Sequence, residues 1–404
     1  MSSSLTVSVP RLTSARNAVF AIFGLAGIAF ASFASRIPDA KAALGLSAGQ
    51  LGLTLFAASA GSLTALPSAG RISDRLGAAR TIVLGMGVSF TGLVVIGIAV
   101  DAGRSRLLMA AGLYLAGLGV GVWDVAMNLE GATVERGLRR TIMPAFHAAF
   151  SGGTVLAGLV GAAMSRLDVP LLPHFLGVIV LSVAGGAWAL RAFLPREAEA
   201  DTDAHDAAAT QRPRSAWLEP RTIMIGLVVL AAAFTEGTAN DWVAVAFVEG
   251  HHLPNWAGVL AFSSFLSFMT IGRLVGTKLL DRYGRVPVVR ATFAMAAVGS
   301  LLVIFGNAPV AYVGTAVWGL GASLGFPVGM SASADDPARA GARMSVVATI
   351  GYTAFIAGPP LLGFLGDRFT VLRALGVVTV LICLALLLVP ALREQRVPEP
   401  AVAE

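Results

Sequence analysis

Apolar and polar positions along this chain are grouped in long blocks rather than alternating at short period. Runs of about 20 apolar residues match the hydrocarbon thickness that a single helix crosses. They fall near 16–36, 49–69, 80–100, 107–130, 142–164, 171–193, 222–247, 257–279, 287–305, 310–332, 344–365 and 371–391. About twelve transmembrane helices are therefore predicted, joined by short polar loops. One break is longer. From Pro195 to Pro220 the chain is rich in Ala, Asp, Glu and Arg, including Glu197, Glu199, Asp201, Asp203, Asp206, Arg212 and Arg214. It has little apolar surface to bury and reads as a flexible linker. The expected organisation is a six-helix bundle over 1–194, a linker over 195–220, a second six-helix bundle over 221–392 and a tail over 393–404.

Composition agrees. Of 404 residues, 56% are hydrophobic and only 13% are charged, against about 25% charged in soluble domains. The mean hydropathy is +0.78. The expected class is an all-α integral membrane protein. The net charge of +6 does not indicate nucleic acid, because the basic residues are scattered between apolar spans with no arginine-rich strip. The single cysteine, Cys383, excludes an intrachain disulfide. No A-x-A-like cleavage site follows the first apolar run, which reads as a retained helix rather than a signal peptide.

Lysine and arginine predict the orientation. With the N-terminus inside, basic residues in cytoplasmic segments outnumber those in outer segments roughly three to one, which places both termini and the linker in the cytoplasm.

A short phrase occurs twice. Gly70-Arg71-Ile72-Ser73-Asp74-Arg75-Leu76-Gly77 is echoed by Gly276-Thr277-Lys278-Leu279-Leu280-Asp281-Arg282-Tyr283-Gly284-Arg285. The copies lie roughly half a chain apart, after the second and eighth spans, on the same predicted face. Inverted repeats would put them on opposite faces, so the halves are read as parallel repeats. Gly70 and Gly276 are expected to let a neighbouring helix approach closely. Asp74 and Asp281 are placed to cap a helix N-terminus of the opposite half. Arg75 and Arg282 can pair with that aspartate or with lipid phosphates. Such a contact forms only while the cytoplasmic side is closed, so Gly70, Asp74, Arg75, Gly77, Gly276, Asp281, Arg282, Gly284 and Arg285 are candidate gate residues. The plainer alternative is a solvated turn with ordinary inside-positive charge.

The phrase resembles the loop motif of the major facilitator superfamily, and the resemblance covers essentially the whole chain, six plus six helices with a central loop. It implies the major facilitator fold, with two half-bundles rocking about a central cavity. The first copy departs from the pattern, with Ala78 and Ala79 where basic residues are usual and Arg80 one place late; the second copy keeps Arg285.

Charges inside the spans are costly, about 2.5–3.5 kcal/mol each at mid-bilayer, so each calls for an explanation. In the fourth span Asp124 and Asn128 share one helix face, and in the fifth His147 and Ser151 do likewise. Asp124, Asn128 and His147 fall at similar depth, where a carboxylate and an imidazole can share a proton; the alternative is a structural hydrogen bond between the two helices. In the seventh span Glu236 and Asn240 share a face, with Asp241 turned away, as proton or ligand groups. Trp242 reads as an interfacial belt residue, with stacking on a ligand as the alternative. Arg273 is read as structural, snorkelling or pairing near Asp281, with an anion or proton-site partner as the alternative. Trp318, Tyr352, Ser263, Ser264 and Ser267 either line the cavity or pack. Phe326-Pro327 and Gly358-Pro359-Pro360 mark expected bends.

The stretch from Trp123-Asp124 and Asn128 through Arg136, His147 and Ser151 also resembles the branch of the superfamily related to fucose permease. That resemblance implies a proton-coupled importer of a sugar-like solute, with Asp124 carrying the proton. Fucose permease has a second acid in its first helix, whereas the first span here offers Ser32, Ser35 and Arg36 and no acid before Asp39.

The expectation is a secondary transporter in a bacterial-type inner membrane, acting as a monomer on a small organic solute, with protons and the lipid bilayer as partners and no cofactor. Its rivals are a drug/proton antiporter exporting amphiphilic compounds and a non-transporting membrane ligand sensor. No Walker-type loop supports ATP coupling, no Cys/His spacing supports a metal, and no catalytic constellation supports an enzyme.

Overall fold

The computed structural model describes residues 8–140, 142–194, 216–336 and 339–394, and among these there is no strand. Most of the predicted linker and of the tail lies outside them. Twelve helices are long and apolar enough to cross a membrane: α1 (Val9–Leu44), α2 (Ala48–Leu76), α3 (Ala78–Asp101), α4 (Arg106–Leu138), α5 (Met143–Arg166), α6 (Leu171–Ala192), α7 (Pro220–Gly250), α8 (Asn255–Tyr283), α9 (Arg285–Phe305), α10 (Ala308–Ser333), α11 (Ala340–Arg368) and α12 (Val371–Leu392). Several overrun the predicted spans. The 33 residues of α4 reach about 50 Å, well beyond the hydrocarbon layer, so its polar ends escaped a reading built on apolar runs.

Two of these helices are interrupted. α1 breaks at Ser35 and Arg36, leaving a short terminal helix, Ile37–Leu44, with Pro38 in its first turn. α10 breaks after Ala322 and resumes at Gly325, beside the expected Phe326-Pro327 bend. α11 instead continues as a helix through Pro359 and Pro360; no interruption occurs at the second expected bend.

Local chemistry sets the helix ends. Ser47 and Gln50 form a reciprocal capping box at the start of α2. Glu135 accepts from the backbone N–H groups of Ile142 and Met143 at 2.5 and 2.6 Å, capping α5. Asp101 does the same for α6 through Leu171 and Leu172. The terminal glycines of the repeated phrase adopt φ 78° at Gly77 and 77° at Gly284. Side chains are strained in that region, so both copies end their helices by the same device.

The duplication is visible deeper in the bundle. Gly85 of α3 lies against the backbone of Gly119 and Trp123 in α4, and Gly299 of α9 lies in the same way against Gly314 and Trp318 in α10. In each half, glycines let two helices cross at backbone contact and seat a buried tryptophan. Within the halves α3 packs on α4 and α1 on α5, while α9 packs on α10 and α7 on α11. Between them α2 meets α11 and α5 meets α8. The architecture is two parallel-repeat six-helix bundles.

Candidate functional site

The polar links between the halves gather at one end, the end opposite the repeated phrases. Asn255 at the start of α8 donates to Asp39 of α1 at 2.7 Å. Ser47 donates to Asp367 at 3.0 Å, and Lys41 is ion-paired with Glu249. The Arg166 guanidinium sits over the Trp256 ring, 4.9 Å from its centroid. Gly52 touches the Pro359 carbonyl so closely that a Cβ there would overlap it. A recess of about 720 Å³ also opens at this end, lined by Glu249, His252, Phe305, Phe369 and Arg373 among others. It lies within the second half, away from the intramembrane charges.

Those charges fall into two groups, one on the helices of each half. Asp124 is exposed and Asn128 half-buried. The Asn128 amide donates to the Asp124 backbone carbonyl at 2.8 Å and to its carboxylate at 3.3 Å, which leaves carboxylate and amide oxygens available to a ligand. In the second half, Tyr352 stands on α11. Tyr352 is 39% exposed and stands between Phe326 and Phe355, with ring centroids at 6.5 and 6.3 Å. Phe355 lies against Gly237, where a Cβ would be 3.2 Å from its ring.

Arg273 of α8 donates to Glu236 of α7 at 2.9 Å and more weakly to the Ser323 carbonyl at the α10 break, at 3.4 Å. The two halves therefore present an acid with an amide on one wall, and an ion pair with a phenol on the other.

Several expectations need correction. His147 is not hydrogen-bonded to Asp124; its ring meets Phe23 edge-on at 5.2 Å, and α4 and α5 scarcely touch. Consecutive antiparallel helices had suggested contact, but α5 packs on α1 and α8 instead. Arg273 pairs with Glu236 rather than near Asp281, so Glu236 is not a lone acid. Trp242 is fully buried, at 0% exposure, and so does not sit at the membrane edge. Trp318 packs edge-on against Phe265 at 5.9 Å. Asp241 is half-buried, and the buried Oδ1 of Asn240 has no hydrogen-bond partner among the described residues.

The repeated phrases differ from each other in structure too. Gly276 packs on Leu324, with a Cβ placed only 2.5 Å from its side chain, whereas a Cβ at Gly70 would meet open space. The close approach expected at Gly70 is absent here. Asp74, Arg75, Asp281 and Arg282 are exposed, with Arg282 over the ring of Tyr283. Arg285 is engaged within its own half, 2.6 Å from Asp335, which also pairs with Arg221 at 2.8 Å. Beside them Glu219 binds Arg343 at 2.7 Å and pairs with Arg339. This network went unread in the sequence, since nothing local joins Glu219 and Arg221 to residues more than a hundred positions away.

The sequence matches the family described as Major Facilitator Superfamily over residues 19–275 and 257–404. The chain belongs to that superfamily. It is a multi-pass membrane transporter and not an enzyme. An uncharacterized transporter of Sinorhizobium fredii, y4wD, is 30% identical over 89% of this chain and 93% of its own length. An uncharacterized MFS-type transporter of Yersinia pestis is 30% identical over 87% of each. Among solved structures, a bacterial homolog of the human lysosomal transporter Spinster, inward-facing and unoccupied, superposes with TM-score 0.76 at 13% identity, covering 97% of this chain and 100% of that one. A variant of the nucleoside transporter NupG gives 0.73 at 13%, covering 95% and 99%. The E. coli fucose:proton symporter FucP gives 0.62 at 14%, covering 94% and 98%. These structural likenesses establish the major facilitator fold.

Proposed function

We propose that this superfamily member is a proton-coupled symporter of a small hydroxylated organic solute, working by alternating access in the bacterial inner membrane with both termini in the cytoplasm. The observation that carries the reading is the Asp124–Asn128 pair, an exposed acid hydrogen-bonded to a half-buried amide on one face of α4. The carboxylate and the amide oxygen, one turn apart, offer acceptors for the two hydroxyls of a diol. An acid reachable from the cleft can take a proton on one side of the membrane and release it on the other. Glu236 and Arg273 neutralise each other, whereas the exposed Asp124 has no ion-pair partner among the described residues, and we assign the coupling charge to it. His147, Asn240 and Asp241 are assigned to the surrounding polar lining.

With the repeated phrases on the cytoplasmic side, the linked end is the outer end, and the conformation is open inward. The repeated phrases carrying Asp74 and Asp281 are then the gate that brings the two halves together on the cytoplasmic side in the opposite state.

The row of Phe326, Tyr352 and Phe355 favours a second reading, export of amphiphilic compounds in exchange for protons, since partly exposed aromatic rings accept planar apolar groups. Direction of flow separates the two. Proteoliposomes with an imposed pH gradient, tested with a panel of sugars, glycosides and amphiphilic drugs, should accumulate a hydroxylated solute when the proton gradient points the same way. Accumulation of amphiphiles against the proton gradient, with no response to hydroxylated solutes, contradicts the symport reading.

A further inference from the structure

The short helix Ile37–Leu44 carries two of the links that hold the halves together, through Asp39 and Lys41. It exists because α1 breaks at Ser35 and Arg36, and the side chain at that break is unusual. Arg36 is only 2% exposed. A guanidinium withdrawn from solvent is costly unless it is hydrogen-bonded, and here each of its three nitrogens makes a hydrogen bond. Nε donates to Asp39 at 2.6 Å, Nη2 to the Val169 carbonyl at 2.7 Å, and Nη1 to Nδ1 of His174 at 3.3 Å. Arginine has no acceptor, so His174 must offer its lone pair on Nδ1 and carry its proton on Nε2.

Everything Arg36 touches belongs to the first half. Its effect is to fix the Asp39 carboxylate, whose other oxygen accepts from Ser165 of α5 at 3.0 Å and from Asn255 of the second half at 2.7 Å. Three elements of one half thus hold a single carboxylate oxygen out toward one amide of the other.

We infer that Asp39 is the latch of this end of the transporter, a positioning residue that closes the cleft by accepting from Asn255 and is itself held in place by Arg36. The division of partners is what suits it to the task. Arg36 and Ser165 stay with Asp39 whichever way the halves rock, so separation never strands a buried charge. Only the Asn255 contact forms and breaks, and only a contact that differs between two states biases their balance. Lys41–Glu249, Ser47–Asp367 and Arg166–Trp256 join the halves at the same end.

The test uses the full-length protein carrying Cys383→Ala and Ser263→Cys. Ser263 is buried on α8 against Gly158 of α5, two turns beneath Asn255. A membrane-impermeant maleimide is added on the face opposite the termini, and labelling is compared for Asn255→Ala, Asn255→Gln and Asn255→Asp. Loss of a hydrogen bond to a charged group predicts labelling about tenfold faster or more for Asn255→Ala. Asn255→Gln, which keeps the donor, should stay near the parent, and Asn255→Asp, which opposes two carboxylates, should label fastest. Asn255 lies at a helix start, so folding is checked by thermal shift. Two results overturn the latch: unchanged labelling in folded Asn255→Ala and Asn255→Asp, or equal acceleration by all three substitutions, which would make shape rather than donation the cause.

Discussion

Arg273 donates to Glu236 at 2.9 Å, joining α8 to α7 within the second half. Both side chains are partly exposed to the cleft, so each keeps the other from standing as an unpaired charge inside the membrane. Removing one partner leaves the other uncompensated. Glu236→Gln and Arg273→Met are each expected to lower stability by about 1–3 kcal/mol, and the double variant by less than the sum. Thermal unfolding of the four proteins in detergent gives the cycle; additive losses would show that the pair is not coupled.

Gly52 is a second point of leverage. Its contact with Pro359 joins α2 to α11 and leaves no room for a Cβ. Gly52→Ala is expected to disfavour the conformation closed at this end, raising labelling of Ser263→Cys from that face while leaving the fold intact. The same substitution at Gly70, where a Cβ meets open space, should leave that labelling near the parent's.

Asp335 and Glu219 give the C-terminal half a pH dependence with a defined sign. Desolvation alone would raise both carboxyls. At Asp335, hydrogen bonds and charge from Arg285 and Arg221 outweigh it and hold the group below its ordinary value. At Glu219, hydrogen bonds from Arg343 and Thr222 and the charges of Arg343 and Arg339 do the same. A carboxyl depressed on folding contributes stability that is fully present above its unfolded value, near pH 4, and is lost as pH falls through the folded one. Asp335→Asn should therefore narrow the melting-temperature loss between pH 6 and pH 3. An unchanged loss would show that the network adds no pH-dependent stability.

How much of this was legible beforehand depended on the range of each signal. Span number, the parallel halves and the Gly-ended phrases were legible because apolar length and a repeated motif are local. Which helices touch was not: α4 and α5 follow each other in sequence yet hardly meet, so a shared depth for Asp124 and His147 did not become a contact. Trp242 looked interfacial from its place near a helix end, but α7 is surrounded by other helices and buries it. The partners of Arg273 and Arg285 come from other helices, and no spacing rule points to them. Arg36 appeared only as a charge near the end of a span; that it organises the link between the halves depends on His174 and Val169, more than a hundred residues away.

Tyr352 offers a test of what the cleft receives. Tyr352→Ala is expected to weaken binding of aryl glycosides at least about tenfold, with Tyr352→Phe close to the parent, because the aromatic face supplies about 1–3 kcal/mol by analogy with base stacking on aromatic side chains. Methyl glycosides of the same sugars should change little. Isothermal titration of the purified variants measures it, and equal losses for both ligand types would remove the ring from the binding account.

The most direct test of the central proposal is proton flux in proteoliposomes carrying Asp124→Asn. The asparagine keeps the side chain's shape and its hydrogen bonding to Asn128, but it cannot carry a proton. Solute exchange down a gradient is expected to continue while proton-driven accumulation and the accompanying proton influx are both lost. Accumulation against the gradient with unchanged proton influx would contradict it.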